Sequence, residues 1–218
     1  MPDVELKTGG KNMQTVEEAI KDYKNFLKKI EDRPGIKELA AYLEKHNFLK
    51  APASTKYHLC SEGGLILHSI SVCRLALKLK KEMLKEVSDE SIILCTLFHD
   101  AHKVTDGFSH STYLKSASYT TNKPISNYNK PYDWNKEQMN FSGAQKSLLI
   151  ISKFVDLTQD EMQAIAYHDG PYTPSWEDIK YDPYPLTLLI HFSDMWSSWV
   201  IEKGKETISY DKKFLNDL

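Results

Sequence analysis

Six polar side chains interrupt otherwise apolar runs of this chain: His68, His99, Asp100, His168, His191 and Asp194. In "TLFHDAHKV", Thr96 to Val104, an imidazole and a carboxylate stand side by side, with Lys103 three residues further on. Buried groups of this kind are costly unless something pairs with them. A structural hydrogen bond, a proton relay and a metal ion are the candidates. One histidine in an apolar helix is ordinarily a hydrogen-bonded core residue. Several helices that each deliver an imidazole or carboxylate inward are how helical bundles build metal sites. Neutral imidazoles and carboxylates suit Mn, Mg, Fe, Co, Ni or Zn.

The elements that must deliver these groups read as helices. Thr15 with Glu18 forms a capping-box pattern and opens a helix to about Ile30, with Val16, Ala19, Ile20, Tyr23, Phe26 and Leu27 on one face. Arg33-Pro34-Gly35 breaks it, "IKELAAYLEKHN" is a second helix and "FLKAPASTKYH" is connecting loop. Gly63-Gly64 introduces "LILHSISVCRLALKLKKEML", where Leu65, His68, Val72, Leu75 and Leu79 recur at helical spacing. Ser88, Asp89 and Glu90 start a helix expected to carry "SIILCTLFHDAHKV". "AQKSLLIISKFV" and "QDEMQAIAYHD" follow, the latter opened by a second capping box, Thr158 with Glu161. "LTLLIHFSDMWSSWVIEK" is the last helix. No strand alternation and no repeat is visible, so the expected class is all-α.

Residues 105–137 have no sustained period and are rich in Ser, Thr, Asn, Tyr and Pro. A loop this long inside a compact domain is usually functional or disordered, and its aromatics argue against plain disorder. It reads as a substrate lid in which Tyr113, Tyr119, Tyr128, Tyr132 and Trp134 stack on a base while Lys115, Lys123 and Lys130 meet phosphates. A crossover held onto the bundle by its aromatics is an equal reading.

A chain of 218 residues suffices for one well-cored domain, and 41% hydrophobic with 27% charged residues is ordinary for a soluble protein. The net charge of −2 lacks the basic excess of a broad nucleic-acid footprint. Cys60, Cys73 and Cys95 are odd in number and have no CxxC spacing, so free thiols in a reducing cytoplasm are expected. The opening "MPDVELKTGGKNMQ" has no apolar signal core, and no apolar run is long enough to span a bilayer.

An isolated histidine, an adjacent His-Asp and a distant Asp on a late helix resemble the signature of the HD-domain metal-dependent phosphohydrolase superfamily. Here these are His68 in "GGLILHSISV", His99-Asp100 in "TLFHDAHKV" and Asp194 in "LIHFSDMWSSW". The flanks "KYHLCSEGGLILHS", "LFHDAHKV" and "QKSLLIISKFVDLTQDEMQAIAYHDG" are similar to a branch found in phages and bacteria, over about Tyr57 to Trp199. The resemblance implies an HD-type helical bundle over 15–218, after a loose tail over 1–14, with 105–137 as an irregular insertion. It implies one divalent metal held by His68, His99, Asp100 and Asp194, with metal-activated water attacking phosphorus.

By the same resemblance Lys103 neutralises charge on the phosphoryl oxygens, where other branches carry a catalytic glutamate. A surface lysine near a helix end is the plainer reading. Glu62 is either a water-orienting acid or the first-turn acid of a helix. His168 is expected to contact phosphate or water, with Asp169 beside it. Binuclear relatives have a further histidine just before the "KS" of Lys146-Ser147, a place held here by Ser142 or Gly143. A second permanent metal is therefore not expected. His58, Lys103, Tyr113, Lys115, Trp134 and Lys146 are the substrate-binding candidates. His191 reads as a core or supporting residue, and His102 and His110 as loop or surface residues. The expected activity is hydrolysis of a phosphate bond in a small nucleotide, a (d)NTP or (d)NMP. A 3′→5′ exonuclease or cyclic-nucleotide phosphodiesterase, and a non-catalytic nucleotide-binding protein, are the alternatives. No membrane partner is expected, and a homo-oligomer is left open.

Overall fold

A computed structural model describes residues 14–203 except Ser109. Seven α-helices form its framework: α1 (Val16–Lys29), α2 (Ile36–Lys45), α3 (Gly64–Met83), α4 (Asp89–Phe98), α5 (Gly143–Ser152), α6 (Gln159–Ala166) and α7 (Pro185–Trp196). The expected helical class is what the structure shows, and both capping boxes form, at Thr15 with Glu18 and at Thr158 with Glu161. Ser142 with Gln145 adds a third at the start of α5. The 1–14 tail lies outside the described residues apart from Gln14, as does the end of the chain, 204–218.

Helix α3 is the axis of the fold. Its first four turns are buried almost all round, through Leu65, Ile66, Ile70, Val72, Cys73 and Ala76, and α1, α4 and α7 lie against it. Full burial of each large aliphatic side chain there contributes about 1.5–3 kcal/mol. A single apolar cluster continues from α3 into every other helix, with Tyr23, Phe48 and Phe98 at its centre. Cys73 and Cys95 are buried free thiols in that cluster, and Cys60 is a half-buried one.

Two expectations need correction. The helix carrying the His-Asp pair does not continue to Val104: α4 ends at Phe98 and His99 is its C-cap. Asp100 leaves helical geometry at φ −101°, ψ 22°, and Ala101–Lys103 form a 3₁₀ turn. The insertion is also not wholly irregular. Strands β1 (Tyr113–Lys115) and β2 (Tyr132–Trp134) pair antiparallel, with Tyr113 opposite Trp134 and Lys115 opposite Tyr132. Strands of three residues are too short to produce a readable alternation. Between them, Asn129 donates from Nδ2 to the carbonyls of Thr120, Lys123 and Pro124, which closes the long loop on itself.

Candidate metal centre

Three segments meet at one end of α3. His68 comes from its second turn, His99 and Asp100 from the end of α4, and Asp194 from α7. His68 Nε2 lies 3.2 Å from His99 Nε2, 3.4 Å from Asp100 Oδ2 and 3.1 Å from Asp194 Oδ1. His99 Nε2 lies 3.3 Å from Asp100 Oδ2. Ligand atoms bound to one ion at about 2.1 Å stand about 3.0–3.5 Å apart, so these spacings suit a single cation. His68 and His99 are fully buried, Asp100 nearly so, and Asp194 keeps some exposure.

Hydrogen bonding makes the donor chemistry explicit. His99 Nδ1 donates to the Thr96 carbonyl at 2.8 Å, and His68 Nδ1 donates to Glu202 Oε1 at 2.8 Å. Both imidazoles are thereby left with Nε2 as the available lone pair, and the two lone pairs point at each other and at two carboxylate oxygens. Four converging acceptors need a cation among them. Without a metal, a proton takes that place. Burial works against charge on His68, but Glu202, Asp100 and Asp194 outweigh it and push the imidazole well above its ordinary range. Burial also pushes Asp100 up, but Lys103 and His99 pull it well below the usual carboxylate range, and His68 does the same for Asp194.

Lys103 is on the same side. In a 3₁₀ turn residues three apart eclipse, and Lys103 Nζ reaches Asp100 Oδ2 at 2.6 Å. Burial disfavours its charge, but Asp100 pushes the ammonium above its usual range. His168, just past the C-cap of α6, donates from Nδ1 to Ile165 O at 2.8 Å and brings Nε2 to 3.8 Å from Asp100 Oδ1. Asp169 Oδ1 is 3.7 Å from the same nitrogen. His191 supports from behind, its Nδ1 donating to the His168 carbonyl at 2.9 Å. Tyr113 carries its hydroxyl close enough to Lys103 and Asp100 to feel both charges, and burial pushes it up to about 12. Its ring lies against Trp134, which is half exposed, and Tyr132.

Lys146, Lys115 and Glu62 stand apart from these ligands. Lys146 is buried in α5 and donates to Gln138 Oε1 at 3.0 Å. Lys115 is exposed on β1, and Glu62 is exposed ahead of α3 on the side of Tyr132, whose hydroxyl burial and Glu62 both raise. His58 lies beside His68, ring centroids 5.2 Å apart, with its Nε2 turned to Glu202.

Two residues carry more of the site than their sequence context indicates. His102 is buried rather than on the surface, bonded through Nδ1 to Ser147 Oγ at 3.1 Å, and burial pushes it down to about 3. A Cβ on Gly143 would stand 2.5 Å from His102 Nε2, so the missing side chain on α5 is the space that this imidazole fills. Glu202 reads in the sequence as the polar end of the last helix, yet it holds a ligand histidine. An acid at a helix C-terminus opposes the macrodipole, and that is the one signal that marks it.

Comparison with protein-family models, with curated proteins and with solved structures finds no match to this chain. Among the described residues, four groups could hold a metal ion: His68, His99 and Asp194; His99, Asp100 and His168; His168, Asp169 and Asp194; and His58, His68 and Glu202, the last on the Nδ1 side of the His68 ring, away from Nε2. No helix among those residues is long and apolar enough to cross a membrane.

Proposed function

We propose that the protein is a metal-dependent hydrolase of a phosphate ester or anhydride in a small nucleotide, on an HD-type centre. The observation that carries the reading is the convergence of three acceptors on His68 Nε2 at 3.1–3.4 Å, two of them 3.3 Å from each other, beside an ammonium at 2.6 Å from one of them. His68, His99, Asp100 and Asp194 would hold the metal; their two carboxylates balance a divalent ion. When bound, such an ion polarises a phosphoryl group and lowers the pKa of water. Lys103 stays protonated and neutralises charge that develops on the phosphoryl oxygens. His168, whose imidazole Asp169 and Asp100 push up against the effect of burial, donates from Nε2 to the same oxygens. Tyr113, Tyr132 and Trp134 offer aromatic faces to a base at the site's edge.

A screen of divalent metals against ribo- and deoxynucleotides, with product identification, tests the reading. The expected result is phosphate or pyrophosphate release that a chelator stops. His99→Ala or Asp100→Ala should abolish it with the helical circular dichroism kept. Turnover by these variants equal to that of the parent protein would refute the proposal.

A further inference from the structure

Beyond the four ligands, the strongest feature of this end of the molecule is Glu202. Its carboxylate is 2% exposed, and Oε1 accepts from His68 Nδ1 at 2.8 Å. Among the described residues Oε2 has no hydrogen-bond partner, and it faces His58 Nε2, also unpartnered there, at 3.6 Å. Burying a carboxylate is costly, and at a helix C-terminus the macrodipole adds to the cost. The backbone bends to put it there: α7 passes into a π-helical turn, Ser197–Ile201, closed by Glu202 N donating to Ser197 O at 2.9 Å. Turns of this kind are rare and concentrate at functional sites. This one brings Ser198 Oγ to 3.3 Å from Asp194 Oδ1 and sets Glu202 against the rear of His68.

Glu202 is not a ligand in this arrangement. It binds the Nδ1 edge of the His68 ring, and the cation faces the Nε2 edge. We infer that Glu202 is a positioning residue of the metal centre. It fixes the His68 tautomer and ring orientation so that Nε2 presents its lone pair, while the second carboxylate oxygen faces His58 Nε2 at 3.6 Å without a hydrogen bond. The array is a carboxylate–histidine–metal relay. The inference rests on the metal reading of the same site.

The test is Co²⁺ binding to the full chain stripped of metal, read by calorimetry and by visible absorption. Glu202→Ala should weaken binding about 10- to 100-fold and shift the Co²⁺ band as His68 loses its fixed orientation. Glu202→Gln keeps an oxygen that accepts from Nδ1–H and should recover most of that loss. Glu202→Asp, one methylene shorter, should behave like the alanine variant. If the alanine variant does not fold, the other two decide: aspartate weaker than glutamine supports the inference, and equal affinity or the reverse order overturns it. Parent-like affinity in all three variants would overturn the role of Glu202 and leave the metal centre standing. A parent protein that binds no Co²⁺ would overturn both.

Discussion

Lys103 makes one contact whose meaning changes with what occupies the site. Its ammonium sits 2.6 Å from Asp100 Oδ2, one of the four converging acceptors, so it competes with a cation for that oxygen. Replacing it with the neutral and similarly long Met should separate two roles. Phosphate release should fall by about 10²–10³-fold, the loss typical of one preorganised charge-stabilising donor. Metal affinity should hold or rise, because Asp100 is freed. Rates measured beside Co²⁺ titrations of Lys103→Met check both; parent-like turnover would remove Lys103 from the chemistry. At this scale the sequence is most readable where polarity breaks a pattern. His68, His99 and Asp194 stand out because their neighbours are apolar. Glu202 is marked only by the wrong sign of its charge for a helix C-terminus, and His102 not at all, since its burial depends on a glycine some forty residues away on α5.

Helices reach this geometry through a few joints, and the strongest is Arg33. Its guanidinium forks onto Glu161, Nη1 to Oε1 and Nη2 to Oε2 at 2.7 Å each, and donates to the Asp156 carbonyl at 2.7 Å. Glu161 Oε2 also accepts from Thr158 N at 2.9 Å as part of the α6 capping box. The turn after α1 is thereby tied to the start of α6, the helix that leads to His168. Removing one partner of a buried pair leaves the other uncompensated, so Arg33→Ala should cost about 3–5 kcal/mol in urea unfolding at neutral pH. Burial pushes Glu161 up, and Arg33 brings it below its ordinary range. A depressed carboxylate contributes stability above its unfolded pKa of about 4.3, and that contribution is lost as pH falls through the folded value. The gap between parent and variant should therefore narrow on acidification, and a constant gap would place the cost elsewhere. Capping boxes are local and could be read directly. Arg33 could be read only as part of a helix break, because its partner is 128 residues away. The end of α4 escaped for a related reason: the apolar run favours continuing, and the turn after Asp100 is set by contacts from α5.

At the scale of the whole molecule, the four candidate ligands tie α3, the end of α4 and α7 together around one point, and all three share a single apolar cluster. The helical class was visible in the spacing of apolar residues, but that three helix ends form one cluster of acceptors was not, since only their relative placement creates it. Such a centre cannot exist in the unfolded chain, so a metal that binds there stabilises the entire domain. At a free concentration of one hundred times Kd the gain is about 2.7 kcal/mol, which for a chain of this size is a Tm rise of about 5–10 °C. A chelator should reverse it, and His99→Ala or Asp100→Ala should abolish it. The four acceptors add a second signature. A proton shared among them must leave when the metal enters, so calorimetric heats of binding near neutral pH should scale with the ionisation enthalpy of the buffer. Heats independent of buffer, with no thermal shift, would mean that ordinary hydrogen bonds hold these side chains together and that the centre binds no metal.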